Sequence, residues 1–248
     1  IKYNLLGADL KRFEVYTSPV NVKHVDLTPD ETDRSPVDNP LAFYIPYGIT
    51  MLFYIVIITS ASLMMNSVAK EKENRVMEIL MTSIKPDQLL TGKILGLGLV
   101  GLLQMAVWLG SAFLLLRLGG TTLNIPSNLQ LRPEIFFWGI VFFILGYLIY
   151  ASIMAGVGAL VPNIKEASQA TFYVIIPILI PLMLISAIIE EPHATLPVVL
   201  SLIPFTAPNT IMVRMAVSPV PIWQLLLALV LMALTVVFVI RAVSGMFR

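Results

Sequence analysis

Residues 41–68 read LAFYIPYGITMLFYIVIITSASLMMNSV, a run of 28 positions without a charge. A bilayer core about 30 Å thick is crossed by about 20 apolar residues in a helix. The run is long enough to span, and it lacks the strand-length alternation of a membrane β-barrel. Backbone groups in hydrocarbon must bond within their own segment, so a helix is expected. Four more stretches, 89–116, 135–161, 170–189 and 222–240, meet the same criterion. None carries Asp, Glu, Lys, Arg or His well inside it; Lys93 lies near an end, where it can snorkel.

Composition agrees with an all-α integral membrane protein of five transmembrane helices. Hydrophobic residues make up 57% of the chain and charged residues 12%, and mean hydropathy is +0.86. A soluble domain is about a quarter charged. A net charge of +1 without a basic tract gives no sign of nucleic-acid binding. With no cysteine, disulfides, thiolate metal sites and cysteine nucleophiles are excluded.

Residues 1–40 differ from the rest. They hold seven acids, from Asp9 to Asp38, and Pro19, Pro29, Pro36 and Pro40. Val15 to Val25 can supply a short strand or two, and Thr28 to Asn39 reads as an exposed linker. Two domains follow: an extracytoplasmic segment, 1–40, and a transmembrane domain, 41–248. Lys and Arg near helix ends set orientation. Lys70, Lys72, Arg75 and Lys85 crowd the first loop, Lys165 lies in the third, and Arg241 and Arg248 in the tail. That side is expected to be cytoplasmic, with the N-terminal segment outside. A polar segment outside normally follows a signal or anchor, so a further helix is expected ahead of Ile1.

Small residues mark packing seams. Gly92 and Gly96 form a G-x-x-x-G beside Gly98 and Gly101, and Ala151, Ala155 and Ala159 make a second row with Ser152 and Gly156. Such rows let helices approach closely, within a subunit or between subunits.

The charged segment 70–86 reads KEKENRVMEILMTSIKP. Glu71 and Arg75 are i,i+4 partners. Val76, Ile79 and Leu80 fall at helical spacing, and Pro86 is expected to end the helix. A short amphipathic helix here can lie on lipid, dock in a partner's groove, or serve as a solvated connector. The residues alone do not choose.

Asn66 to Gln104 resembles the membrane subunit of an ABC-2 type exporter, of the sodium-efflux-permease-like branch. The matching residues are Glu71-Lys72-Glu73, Arg75, Glu78-Ile79-Leu80, Thr82-Ser83, Pro86, Leu90, Gly92-Lys93 and Gln104. Val161 to Ala167 is similar to the family's second cytoplasmic turn, and Ile203 to Asn209, followed by Arg214, to its outer hairpin. The likeness covers roughly 40–241. It implies six helices in the family, of which this chain holds five, and a coupling helix in 70–86 that contacts a cytoplasmic ABC ATPase subunit. It also implies a second permease copy, the same or different, and export across the plasma membrane of a prokaryote. ATP and Mg would belong to the ATPase, with no cofactor on this chain. Glu71, Glu73, Arg75, Val76, Glu78, Ile79, Leu80 and Lys165 would then carry ATPase coupling. A membrane scaffold or assembly protein without transport activity would need the same bundle.

Residues 190–220 contain an apolar piece, Leu196 to Phe205, too short to span and interrupted by prolines. It fits a surface loop or a re-entrant hairpin; the resemblance favours a hairpin capping the outer end of a path. Gln104, Pro204 and Pro208 are the candidate path residues. Gln104 is a polar group in lipid and calls for an interhelical partner. Glu190 and Glu191 read as solvated acids, and His24 and His193 as loop histidines. Pro177 and Pro181 should kink helix four. There is no P-loop, no His-Glu-x-x-His and no Gly-x-Ser-x-Gly, so no catalytic site is expected on this chain.

Overall fold

The computed structural model describes residues 40–74, 76, 86–119 and 133–246. The polar segment 1–39, with its expected strands, linker and His24, lies outside them, as do Arg75 and residues 77–85 of the charged segment. The described residues are helical, without strands. Five helices are long and apolar enough to cross a membrane. They are α1 (Pro40–Glu73), α2 (Pro86–Gly119), α3 (Pro133–Leu160), α4 (Ile164–Met183) and, last in the chain, α8 (Ile222–Met246). Between α4 and α8 lie the short helices α5 (Ile185–Glu190), α6 (Thr195–Leu202) and α7 (Ala207–Val217).

Several boundaries differ from the sequence expectation, each for a local reason. The fourth span begins at Ile164, not near 170. Asn163 caps it: its side chain accepts from the Glu166 amide and its amide group donates to the Glu166 carboxylate, a reciprocal cap. The same helix stops at Met183 and restarts at Ile185. Pro181 has no N–H for the Pro177 carbonyl, which loosens the last turn of the helix, while the Leu184 N–H still bonds the Ile180 carbonyl at 3.1 Å. Pro86 opens α2, a position where its missing N–H costs nothing; the helix it is expected to end falls on residues 77–85, outside the described residues.

Helix α1 is the hub, packed against α2, α3, α4 and α7. Neighbours fix its directions. Glu71 meets Lys93 and Thr59 meets Gln104, so α1 and α2 run antiparallel. Phe53 lies at Gly139 and Met65 at Gly158, so α1 and α3 run parallel. Helix α8 joins α3 with the same sense, Val243 lying against Gly156. The C-terminal ends of α1, α3 and α8 therefore share one end of the bundle with the N-terminal ends of α2 and α4. That end carries Lys72; Arg214 marks the opposite one.

The two small-residue rows behave differently. Ala151, Ala155 and Gly156 are buried as expected. Gly92 and Gly96 face open space, and the close approach of α2 is made by Gly98 against Tyr147 and by Gly101 against Ser60 and Phe143. Gly158 is the tightest backbone contact: a Cβ there would come within 2.8 Å of the Met65 carbonyl oxygen. Gly158→Val should therefore force α1 and α3 apart at about 1–3 kcal/mol, lowering the melting temperature in detergent by about 2–12 °C. Gly96→Ala should leave it unchanged, and equal melting of the two variants would contradict this packing.

Candidate functional site

Three neighbourhoods hold the polar chemistry of the bundle. The first is the Lys72 end. Glu71, on the last turn of α1, forms an ion pair with Lys93 of α2 and accepts from Ser67 at 3.4 Å. Lys93 is thus paired, not merely snorkelling. Lys72, one residue on, donates to the carbonyls of Ala159 at 2.6 Å, Leu160 at 3.4 Å and Val161 at 3.1 Å. These are the orphan acceptors of the α3 C-terminus, where a cation is favoured by both hydrogen bonding and the helix dipole. One short segment of α1 is so tied to α2 and to the α3–α4 turn at once.

Four of the eight sequence-derived coupling residues are described, and they fall around this joint. Glu71 belongs to it. Glu73 is exposed at the end of α1, Val76 is exposed, and Lys165 is exposed in the first turn of α4. Arg75, Glu78, Ile79 and Leu80 lie outside the described residues. Lys72 was noted in the sequence as a topology charge and within the Glu71-Lys72-Glu73 match, and its capping role was missed. Its signal was weak: a lysine one turn beyond an apolar span.

The second neighbourhood is the pair α6–α7. Chain 195–217 folds back into the bundle and turns at 203–206. Tyr150 donates to the Phe205 carbonyl at 2.8 Å, and Pro208 packs on Gly146. Both α3 residues lie near the middle of its span, Glu134–Leu160, so the turn sits deep beside α3. Residues 206–215 are all buried. Pro204, half-buried in the turn, has no N–H for the Leu200 carbonyl, and the Thr206 hydroxyl donates to it instead at 2.5 Å. Asn209 donates to the Ile178 carbonyl at 3.4 Å, while its own Oδ1 has no protein partner.

Arg214 closes this unit. It is fully buried. Its Nε donates to the Pro192 carbonyl, Nη1 to Ser201 Oγ and Nη2 to Gln224 Oε1, each at 2.7 Å. Among the described residues no carboxylate pairs with it. Burial lowers its pKa by stripping water from the charged form, but a guanidinium stays protonated in a protein. A full charge is therefore held by three neutral acceptors from three elements. The sequence reading named Arg214 only as following the outer-hairpin stretch Ile203 to Asn209, with no partners. Ser201 and Gln224, isolated polar residues in apolar surroundings, were the missed signal. Glu190, Glu191 and His193 nearby are exposed, as expected.

The third neighbourhood is a cavity of about 510 Å³ between α1, α2 and α3, with Met212 of α7 at its wall. Gly48, Ile55, Met105, Trp108 and Gly139 contribute to its lining. Gln104 lies beside it in sequence and meets Thr59 at 3.3 Å, supplying the interhelical partner expected of it. Pro204 and Pro208 belong to the separate neighbourhood against α3.

Replacing Arg214 should test the second site. Arg214→Leu leaves the Pro192, Ser201 and Gln224 acceptors without their donor, at about 1–3 kcal/mol for each one orphaned. Its folded yield and melting temperature should drop sharply, with Arg214→Lys recovering part of the loss. Wild-type melting of Arg214→Leu would show that the guanidinium does not hold these elements together.

Comparison with known proteins places this architecture. A family profile described as ABC-2 family transporter protein matches residues 5–243. The uncharacterized protein MJ1024 of Methanocaldococcus jannaschii is 29% identical over 229 residues, covering 92% of this chain and 54% of that protein. The uncharacterized protein YhaP of Bacillus subtilis is 32% identical over 205 residues, covering 80% of this chain and 48% of that protein. The chain thus spans about half the length of these relatives. A match over nearly the whole sequence, carried on five membrane-length helices, makes the chain a member of the ABC-2 transporter family of multi-pass membrane proteins.

Proposed function

We propose that this chain is the permease subunit of an ATP-driven ABC-2 exporter, moved by a separate ATPase that docks at its Lys72 end. The observation that carries the reading is the Lys72 clamp on the α3 C-terminus. A force on segment 70–86 would reach α1 directly, α2 through Glu71–Lys93, and the α3–α4 turn through Lys72. One docking event would then move four helices together. The exposed Glu73, Val76 and Lys165 surround this joint, and Arg75, Glu78, Ile79 and Leu80 continue the segment.

Charge supports the orientation. Lys70, Lys72, Lys165 and Arg241 are exposed at one end of the bundle, as the cytoplasmic side requires. That side is taken as the cytoplasm of a prokaryotic cell, with the membrane its plasma membrane. The unit α6–α7 is then a re-entrant hairpin entering from outside and buried against α3, the condition under which irregular backbone is tolerated at membrane depth. A second permease copy would complete the path, and ATP and Mg would be held by the ATPase.

The test is ATP hydrolysis by the ATPase subunit reconstituted with this chain in vesicles. Lys72→Met removes a helix-end interaction of only about 0.3–1 kcal/mol, so the bundle should still fold. Stimulation of hydrolysis should nevertheless fall towards that of the ATPase alone, and Glu78→Ala with Ile79→Ala should do the same. Full stimulation in both would sink the assignment. Purification that recovers no nucleotide-binding subunit would favour a scaffold instead.

A further inference from the structure

The cavity between α1, α2 and α3 has the size of a small-molecule site, which runs to about 300–1,000 Å³. It extends along α1 from Tyr44 to Ile55, about 16 Å at 1.5 Å per residue. That length is close to half of a hydrocarbon core about 30 Å thick. It runs from the Arg214 end towards the middle of the bundle. Its walls are otherwise aliphatic, aromatic and glycine; their polar groups are the Tyr44 hydroxyl at the Arg214 end, the Trp108 indole N–H and the Ser111 hydroxyl, the last spent on the Val107 carbonyl at 2.7 Å. Among the described residues no charged side chain lines it. An ionised ligand would therefore lose its water without compensation.

Polar groups lie just past the deep end. Gln104, outside the lining itself, precedes the lining residue Met105 and stands one turn before Trp108 on α2; Thr59, likewise outside it, stands one turn beyond Ile55 on α1. The Thr59 hydroxyl already gives its hydrogen to the Ile55 carbonyl at 2.7 Å. Among the described residues the Gln104 amide has no other partner than Thr59. Whichever way that amide is turned, it keeps at least one N–H unclaimed. The group is half-exposed, near the middle of the α2 span Thr91–Ser111. An unclaimed donor at that depth favours an acceptor that arrives with an apolar body.

We propose that this cavity binds an uncharged, largely apolar molecule of drug size whose hydrogen-bond acceptor, such as a ketone oxygen, meets the Gln104 amide. A phospholipid does not fit this description. Its ester carbonyls sit at the membrane surface, while Gln104 lies at mid-depth. As cargo, this class of molecule rests on the exporter reading; as a bound ligand it does not.

Trp108 lies on the cavity wall and becomes the sole tryptophan in a Trp138→Phe, Trp223→Phe background. The full chain in vesicles of a diether phosphatidylcholine is titrated with 4-bromobenzophenone and with its carbonyl-free analogue 4-bromodiphenylmethane, following Trp108 quenching without ATPase or nucleotide. The ketone should quench saturably and bind about tenfold tighter than the analogue, the worth of one hydrogen bond. Gln104→Leu should erase that difference while leaving saturable binding of both. Gly48→Phe should abolish saturation for both, because a side chain there enters the cavity and meets no heavy atom within 4 Å of its Cβ. Quenching that rises linearly with probe would mean partition into bulk lipid and overturn the site. Equal binding of ketone and analogue, or a Gln104→Leu variant that still prefers the ketone, would overturn the role of Gln104. Saturable binding that survives Gly48→Phe would place the molecule elsewhere. If ATPase coupling fails while this binding holds, the exporter reading falls and the site stands.

Discussion

Inside a bilayer a backbone amide or carbonyl has no water to bond, and an unmet group costs several kcal/mol. The long spans meet this constraint within themselves. Their hydroxyls do the same, bonding back one turn, as Thr50 does to Pro46, Ser152 to Leu148 and Thr235 to Leu231. The buried turn between α6 and α7 does not. Regular pairing breaks at Pro204, and the bundle repairs the break. Thr206 serves the Leu200 carbonyl, and Tyr150 serves that of Phe205. Gly146 makes room, for a Cβ there would lie 2.8 Å from Pro208. The turn is buried because α3 supplies both the donor and the space.

Charge is treated in opposite ways at the two ends. At the Arg214 end a full charge is buried among neutral acceptors from Pro192, Ser201 and Gln224. Moving any one of them would strand either an acceptor or part of the cation, so the elements are pinned to each other. At the Lys72 end the charges are exposed or half-exposed and water is at hand. The Glu71–Lys93 pair and the Lys72 cap are then weak individually and can be exchanged for water at small cost. One end is tied by contacts that water cannot replace and the other by contacts that it can.

The five spans were legible because an uncharged run of such length has few alternatives in water or in lipid. Which face of each span meets protein was not. A helix apolar all round has no amphipathic stripe to reveal its inward side, so Gly92 and Gly96 looked as good a seam as Gly98 and Gly101. Periodicity also failed at the polar start of α4, where Lys165, Glu166, Ser168 and Gln169 read as loop; the Asn163–Glu166 cap was the better guide. Arg214 was left without partners for a different reason. Its burial depends on partners 22, 13 and 10 residues away, and no local pattern encodes them. Gln104 was found because a lone amide in an apolar run is costly wherever it lies. Glu71 drew notice for its charge, but its partner Lys93 is 22 residues distant and needed the fold.

Helix α2 connects these halves. Near its start it is held by Lys93 on Glu71 and by Tyr147, which donates to the Ile94 carbonyl at 2.9 Å. Close contacts at Gly98 and Gly101 fix its next turns against α3 and α1. Beyond them it loosens: Leu103, Val107, Trp108 and Leu114 are exposed, and the cavity opens beneath Met105 and Trp108. Two inward contacts continue past this clamp: Gln104 meets Thr59 of α1, and Met105 is buried near Gly139 of α3, where Met212 of α7 closes the same wall. The cavity is thus bounded by all four helices, and its width depends on the α6–α7 unit as much as on α2. The outward face of α2 has no protein neighbour among the described residues, so an apolar surrounding must cover it.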